Sequence, residues 1–137
     1  ENVNWLNGGK PLLEGLRGRL PLGIATGAQS KYVEAIDRRL NVRAFIPTII
    51  CADEPGYRRK PDPFSLLKAA ECLGVDPEAA LYVGDQPTDV AAAKLARMTS
   101  CLITGTGNVA SVQAKPDFQI GSLHELATEI LALHTNA

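Results

Sequence analysis

LYVGDQPTDVAAAKLARM, residues 81–98, decides how the rest of the chain is read. Leu81-Tyr82-Val83 is a short apolar run of the kind that forms a buried strand. Gly84 lets the backbone turn, and Pro87 suits the first turn of a helix, where a missing N–H costs little. Val90, Ala93 and Ala96 continue at helical spacing. A strand therefore gives way to a helix over residues 87–97, with Asp85 and Asp89 at the junction. Open α/β sheets carry their sites there, at the carboxyl ends of strands.

Outward from this unit the alternation recurs. Residues 11–19 read as a short helix with Leu12, Leu13 and Leu16 on one face. Residues 20–25 read as a strand ending in the turn TGAQS, and Ser30 is placed to cap a helix running to Leu40. Residues 45–51 form a β-branched strand, followed by the polar loop ADEPGYRRKPD. Asp62-Pro63 reads as an N-cap and first helical residue, and that helix stops at Gly74. Further strands are expected over residues 80–83, 100–103 and 118–120. A closing helix is expected over 122–133, with Ser122 and Glu125 at capping-box spacing. Strands alternating with helices imply an α/β fold, with a parallel sheet covered on both faces.

The bulk properties exclude several functions. The 137 residues suit one domain, and 45% apolar residues supply its core. A net charge of −1 gives no electrostatic case for nucleic acid or an anionic membrane. The longest apolar run, residues 44–52, contains Pro47 and is too short to span a bilayer. The opening ENVNWLNGGK lacks the basic-then-apolar pattern of a secretory leader. Cys51, Cys72 and Cys101 are scattered without C-x-x-C spacing, which suits a reducing cytoplasm and small buried hydrophobes rather than a metal or disulfide framework. His124 and His134, on or near the last helix, read as surface residues.

Three loops on one rim of the expected sheet carry the candidate chemistry. Thr26 offers a hydroxyl, and Gly27 and Ala28 offer N–H groups at a strand-to-helix turn, which suits a phosphate oxygen. Lys60 offers a positive charge beside Pro61. Asp85 and Asp89 are hard oxygen donors of the type that holds Mg²⁺ together with waters and a substrate phosphate. A hydroxyl, a lysine and a metal around one anion form a phosphoryl-transfer set, in which positioning and charge stabilisation do most of the catalysis. Singly, each has a plainer reading: Thr26 as a turn residue, Lys60 as a solvated charge, Asp89 as a helix-terminus acid. Arg58 and Arg59 read as solvated, and Asp53 and Glu54 as loop acids. Their order and context carry the weight.

That order resembles the haloacid dehalogenase superfamily, in particular the branch with phosphoglycolate phosphatase and β-phosphoglucomutase. LGIATGAQS is similar to its second motif, and residues 59–98, from RKPDPF to VGDQPTDVAAAKLARM, are similar to its third and fourth. PDFQIGSLHELATEIL is similar to its last strand and helix. The resemblance implies a Rossmann-like three-layer sandwich and a Mg²⁺-dependent phosphatase of small phosphorylated metabolites. Thr26, Gly27 and Lys60 would hold the phosphoryl group, with Thr26 and Lys60 acting in catalysis, and Asp85 and Asp89 would form the metal site. Gly27 departs from the asparagine common in such relatives.

The family's first motif, D-x-D on the central strand, has no counterpart: no Asp-x-Asp occurs in the 137 residues. There the first aspartate attacks phosphorus and the second is the general acid and base. The resemblance therefore implies that residues 1–137 are one core domain, incomplete at its N-terminal side. An upstream segment would supply the nucleophile strand, set between those of residues 20–25 and 80–83, and a cap. The alternative is a non-catalytic binding module of the same fold, or an inactive fragment. A generic nucleotide binder is the weakest reading, since neither G-x-G-x-x-G nor G-x-x-x-x-G-K-[ST] is present, and Gly105-Thr106-Gly107 reads as a turn.

Overall fold

A computed structural model describes residues 9–104 and 115–130. Helix α1 (Gly9–Leu16) leads into strand β1 (Gly23–Ala25) and helix α2 (Ser30–Leu40). Strand β2 (Thr48–Ile50), helix α3 (Phe64–Leu73), strand β3 (Leu81–Gly84) and helix α4 (Pro87–Leu95) follow. Strands β4 (Thr99–Ile103) and β5 (Phe118–Ile120) precede helix α5 (Leu123–Glu125), which continues as a wider π turn over Leu126–Ile130. No described helix is long and apolar enough to cross a membrane. Gly105-Thr106-Gly107, His134 and the end of the expected closing helix lie outside the described residues.

Every strand pair is parallel, as the alternation implies. The strands form two ladders rather than one. β1 pairs with β2, and β3, β4 and β5 pair in that order. Among the described residues, β1 and β3 each have one edge without a strand partner.

Two apolar layers cover the faces of the larger ladder, and β3 shows the division. Leu81 and Val83 pack on one face against a core of Leu12, Leu16, Cys101, Ile103, Ile120 and Leu126. Tyr82, pointing the opposite way as strand geometry requires, packs against Leu66, Ala70, Ala92, Ala93, Ala96 and Met98. The alanines of α4, fully buried at Ala92 and Ala93, leave the helix no bulk to hold it off the strands. Ala25 joins this second core, so it reaches from β1 to α4.

Boundaries differ from the sequence reading where proline intervenes. β1 begins three residues late because Pro21 has no N–H for a ladder. β2 begins after Pro47 for the same reason, and residues 42–46 close a 3₁₀ turn in which Phe45 N–H and Ile46 N–H donate to the Val42 carbonyl. α3 begins at Phe64 with Pro63 as its cap residue, while the Asp62 carboxylate accepts the Phe64 N–H. Gly74 ends it in the left-handed region, at φ +69°. α4 stops at Leu95, not at Arg97, which is itself left-handed at φ +65°. Ser122 caps the last helix as expected, by accepting the Glu125 N–H. Cys51 and Cys101 are buried, but Cys72 is exposed, contrary to the buried reading given to all three.

Ser30 is not the N-cap of α2. Gln29 takes that position, and Ser30 is the first helical residue. Its N–H and hydroxyl both donate to the Asp53 carboxylate, so the loop after β2 closes over the start of α2. Asp53 is thus more than a loop acid. The Ser30 hydroxyl, then the Ser30 N–H, hold its carboxyl below the usual carboxylate range. A folded pKa below the unfolded one adds stability that is full above the unfolded value and is lost as pH falls through the folded one. Asp53→Asn should therefore melt slightly below wild type near neutrality, and the gap should close on acidification. Thermal melts of both proteins from neutral to acid pH check this. A gap that widens toward acid would reverse the assignment.

Candidate functional site

The carboxyl ends of β1 and β3 face one another across the seam between the ladders, and Lys60 joins them. Its ammonium donates to the Ala25 carbonyl at 3.4 Å, at the end of β1. It also donates to the Tyr82 hydroxyl at 2.9 Å, on β3, and to Asp89 Oδ1 at 2.8 Å, on α4. All three ammonium hydrogens are thereby engaged. The loop that carries Lys60 reaches the seam through a cis Lys60–Pro61 peptide.

The solvated reading of Lys60 gives way here. Its side chain is 18% exposed, and that of Asp89 is 8% exposed. Burial pulls the ammonium pKa down, but the hydrogen bonds to Asp89 and Tyr82 outweigh it and hold the group above its ordinary value. Burial also raises the Tyr82 phenol, so the hydroxyl stays protonated beside the lysine.

Asp89 turns inward because its other oxygen is needed at the helix start. Asp89 Oδ2 accepts the N–H groups of Asp85 and Gln86, each at 3.1 Å. Gln86 is the N-cap of α4, and its N–H is a donor that the helix start leaves without a helical partner; Asp85 stands just before it. The helix-terminus role is therefore real, and the ion pair with Lys60 is added to it on Oδ1. Gly84 makes room for this. A Cβ on Gly84 would lie 2.3 Å from Asp89 Cβ and 2.4 Å from its Cγ and Oδ2.

Thr26 follows β1 directly, its N–H bonded to the Ile50 carbonyl. Its Oγ1 accepts the Ala28 N–H at 3.1 Å, an ordinary turn bond. Gly27 is exposed, and the Tyr57 hydroxyl lies 3.6 Å from where its Cβ would be. Asp85 is half-buried on the turn between β3 and α4. Arg58 and Arg59 are exposed, in agreement with the solvated reading. Among the described residues, no three His, Cys, Asp or Glu side chains gather as a metal cluster.

Lys60 and Asp89 are thus in direct contact, and Asp85 touches Asp89 through its backbone. Thr26 adjoins Ala25, whose carbonyl accepts from Lys60. Tyr82 is the member that sequence reasoning missed. It was read only as a strand residue, and nothing in its spacing signals that a hydroxyl at the tip of a core-facing ring meets Lys60.

Comparisons with known proteins bear on the family and the fold. The family model described as haloacid dehalogenase-like hydrolase matches residues 1–103. The phosphoglycolate phosphatase of Escherichia coli (strain K12) is 31% identical over 109 residues, which are 78% of this chain and 43% of that protein. The chain thus spans less than half the length of this relative. Among solved structures, a 2-haloacid dehalogenase from Pseudomonas syringae pv. Tomato DC3000 is 31% identical, with a TM-score of 0.77 over 96% of this chain and 54% of that one. A HAD phosphatase from Thermococcus onnurineus is also 31% identical, with a TM-score of 0.77 over 94% and 59%. With most of its length matched by the family model, and parallel strands alternating with helices as expected, the chain belongs to the haloacid dehalogenase-like hydrolase family.

Proposed function

We propose that this chain is the carboxyl-terminal part of the core of a cytoplasmic, Mg²⁺-dependent phosphatase of small phosphorylated metabolites. It would act through an aspartyl-phosphate whose aspartate comes from an upstream segment. The observation that carries the reading is the Lys60 bridge. It gathers a cation, the Thr26 turn and the Asp85–Asp89 turn between β1 and β3, which among the described residues each have an edge without a strand partner. An inserted parallel strand ending in an acid would satisfy both edges and bring that acid to Lys60.

The roles follow from the chemistry of each group. Thr26 Oγ1 accepts locally from Ala28, which leaves its own hydrogen to donate to a phosphate oxygen. The Gly27 N–H would add a second donor at the same turn. Lys60 would exchange its longest bond, the 3.4 Å contact to Ala25, for a phosphate oxygen and keep the other two. Asp85 and Asp89 would be the oxygen donors to Mg²⁺, which would neutralise phosphate charge there. They make half of a site, and an upstream acid would complete it. By the family resemblance Asp85 would bind Mg²⁺ and Asp89 would assist, directly or through water, while its two oxygens also hold Lys60 and the turn that carries Asp85. The free cysteines support a reducing compartment.

A non-catalytic module of the same fold is the second reading. It is favoured by the full engagement of the Lys60 ammonium within the chain.

The test is the intact mass of the protein isolated from its source, followed by phosphate release from small phosphomonoesters with and without Mg²⁺. The expected result is a mass above 14.6 kDa, an Asp-x-Asp in the added sequence, and Mg²⁺-dependent release. Residues 1–137 alone should release none. Turnover by residues 1–137 alone would refute an upstream nucleophile, and added sequence without Asp-x-Asp would leave the binding module.

A further inference from the structure

From the hydrogen bonds at the tip of its ring, we infer that Tyr82 is a positioning residue that fixes where the Lys60 ammonium stands. The inference rests on the phosphatase reading for its consequence, but not for its geometry. The Tyr82 ring packs among Leu66, Ala70, Ala92, Ala93, Ala96 and Met98, and a phenylalanine would serve that core equally well. What the hydroxyl adds is confined to the seam. Its oxygen accepts from Lys60 Nζ at 2.9 Å. Its hydrogen has two acceptors at 3.3 Å, Asp89 Oδ1 and the Ala25 carbonyl, which are the other two partners of the same ammonium. The hydroxyl thus touches both of the other hydrogen-bond partners of the Lys60 ammonium.

Asp89 alone would draw the ammonium toward α4, since an ion pair has little directional preference for a flexible lysine. The Tyr82 oxygen supplies a second fixed point on a strand. With two short bonds set by α4 and β3, the third N–H is directed toward the end of β1. That is the hydrogen a phosphate oxygen would take. Tyr82 would touch no substrate and would act through Lys60.

The test is a ¹H–¹⁵N correlation spectrum of the lysine ammonium groups in the intact protein, wild type against Tyr82→Phe, with Lys60→Met to assign the signal. Lys60 should give a resolved signal in wild type. In Tyr82→Phe its exchange with water should be about tenfold faster, the size expected for loss of a hydrogen bond to a charged group. The ring and the core remain in that variant, so a merely structural hydroxyl would lower the melting point and leave the Lys60 signal unchanged; that result would overturn the inference. If Tyr82→Phe does not fold, 3-fluorotyrosine at position 82 keeps ring and hydroxyl and weakens the accepting oxygen. The Lys60 signal should then shift, and an unmoved signal would again overturn the inference. In the intact protein, Tyr82→Phe should lower kcat/KM about tenfold, the same loss read as a rate. An intact protein without phosphatase activity would sink the functional reading while leaving the ammonium result standing.

Discussion

Asp89→Ala should remove about 3–5 kcal/mol of folding stability, the cost of stripping one partner from a buried ion pair. Three losses coincide at this carboxylate. The Lys60 ammonium keeps its charge in a site 18% exposed and loses its counter-ion. The Asp85 and Gln86 N–H groups lose their shared acceptor at the start of α4. The Tyr82 hydroxyl loses one of its two acceptors. Urea unfolding of the wild type and the variant measures the effect. The double variant Lys60→Met/Asp89→Leu separates the causes. Replacing both charges with apolar groups removes the unpaired ion, so it should recover a large part of the loss and leave the cost of the uncapped turn. If the double variant is as unstable as Asp89→Ala, the capping bonds dominate and the ion pair contributes little.

Gly84→Ala should cost about 3 kcal/mol, the upper end of what overpacking usually takes. The added methyl would meet Asp89 Cβ at 2.3 Å, far inside contact distance. That atom is one bond from the α4 backbone, so no rotation of a flexible chain end relieves the clash. Either the turn between β3 and α4 opens or Asp89 leaves Lys60. The two relaxations read differently. Opening of the turn would lower stability with the lysine signal intact, and departure of Asp89 would remove that signal as well. A Gly84→Ala protein as stable as wild type would show that the close approach is not required.

The order of elements was legible because each depends on local pattern. The β-branched run before Cys51, the apolar run before Gly84 and the glycine after Leu73 fix a strand, a strand and a helix end without tertiary information. The strand starts were less legible, because Pro21 and Pro47 act through ladder hydrogen bonds that exist only once a partner is chosen. The site was legible as a set of residue types on one rim. Its internal wiring was not. Whether Asp89 faces solvent, a metal or Lys60 depends on which oxygen the start of α4 claims, and that is set by the approach of Lys60 from a loop 29 residues away. The bond between Asp53 and Ser30, over 23 residues, escaped for the same reason.

The alanine-lined core described above has a consequence for how the molecule comes apart. Among the described residues, β1 and β2 share no backbone ladder with β3, β4 and β5. Cohesion between the two halves therefore falls to side chains, among them Leu66 and Ala70 of α3 against Ala92, Ala93 and Ala96, and Leu22 against the core of Cys101, Ile103 and Ile120, together with the Lys60 clamp. Alanine contacts bury little area each, so this joint should open before the ladders themselves do. The half built on β4, the longest strand, can outlast the other, and amide exchange would then report two stabilities within one chain.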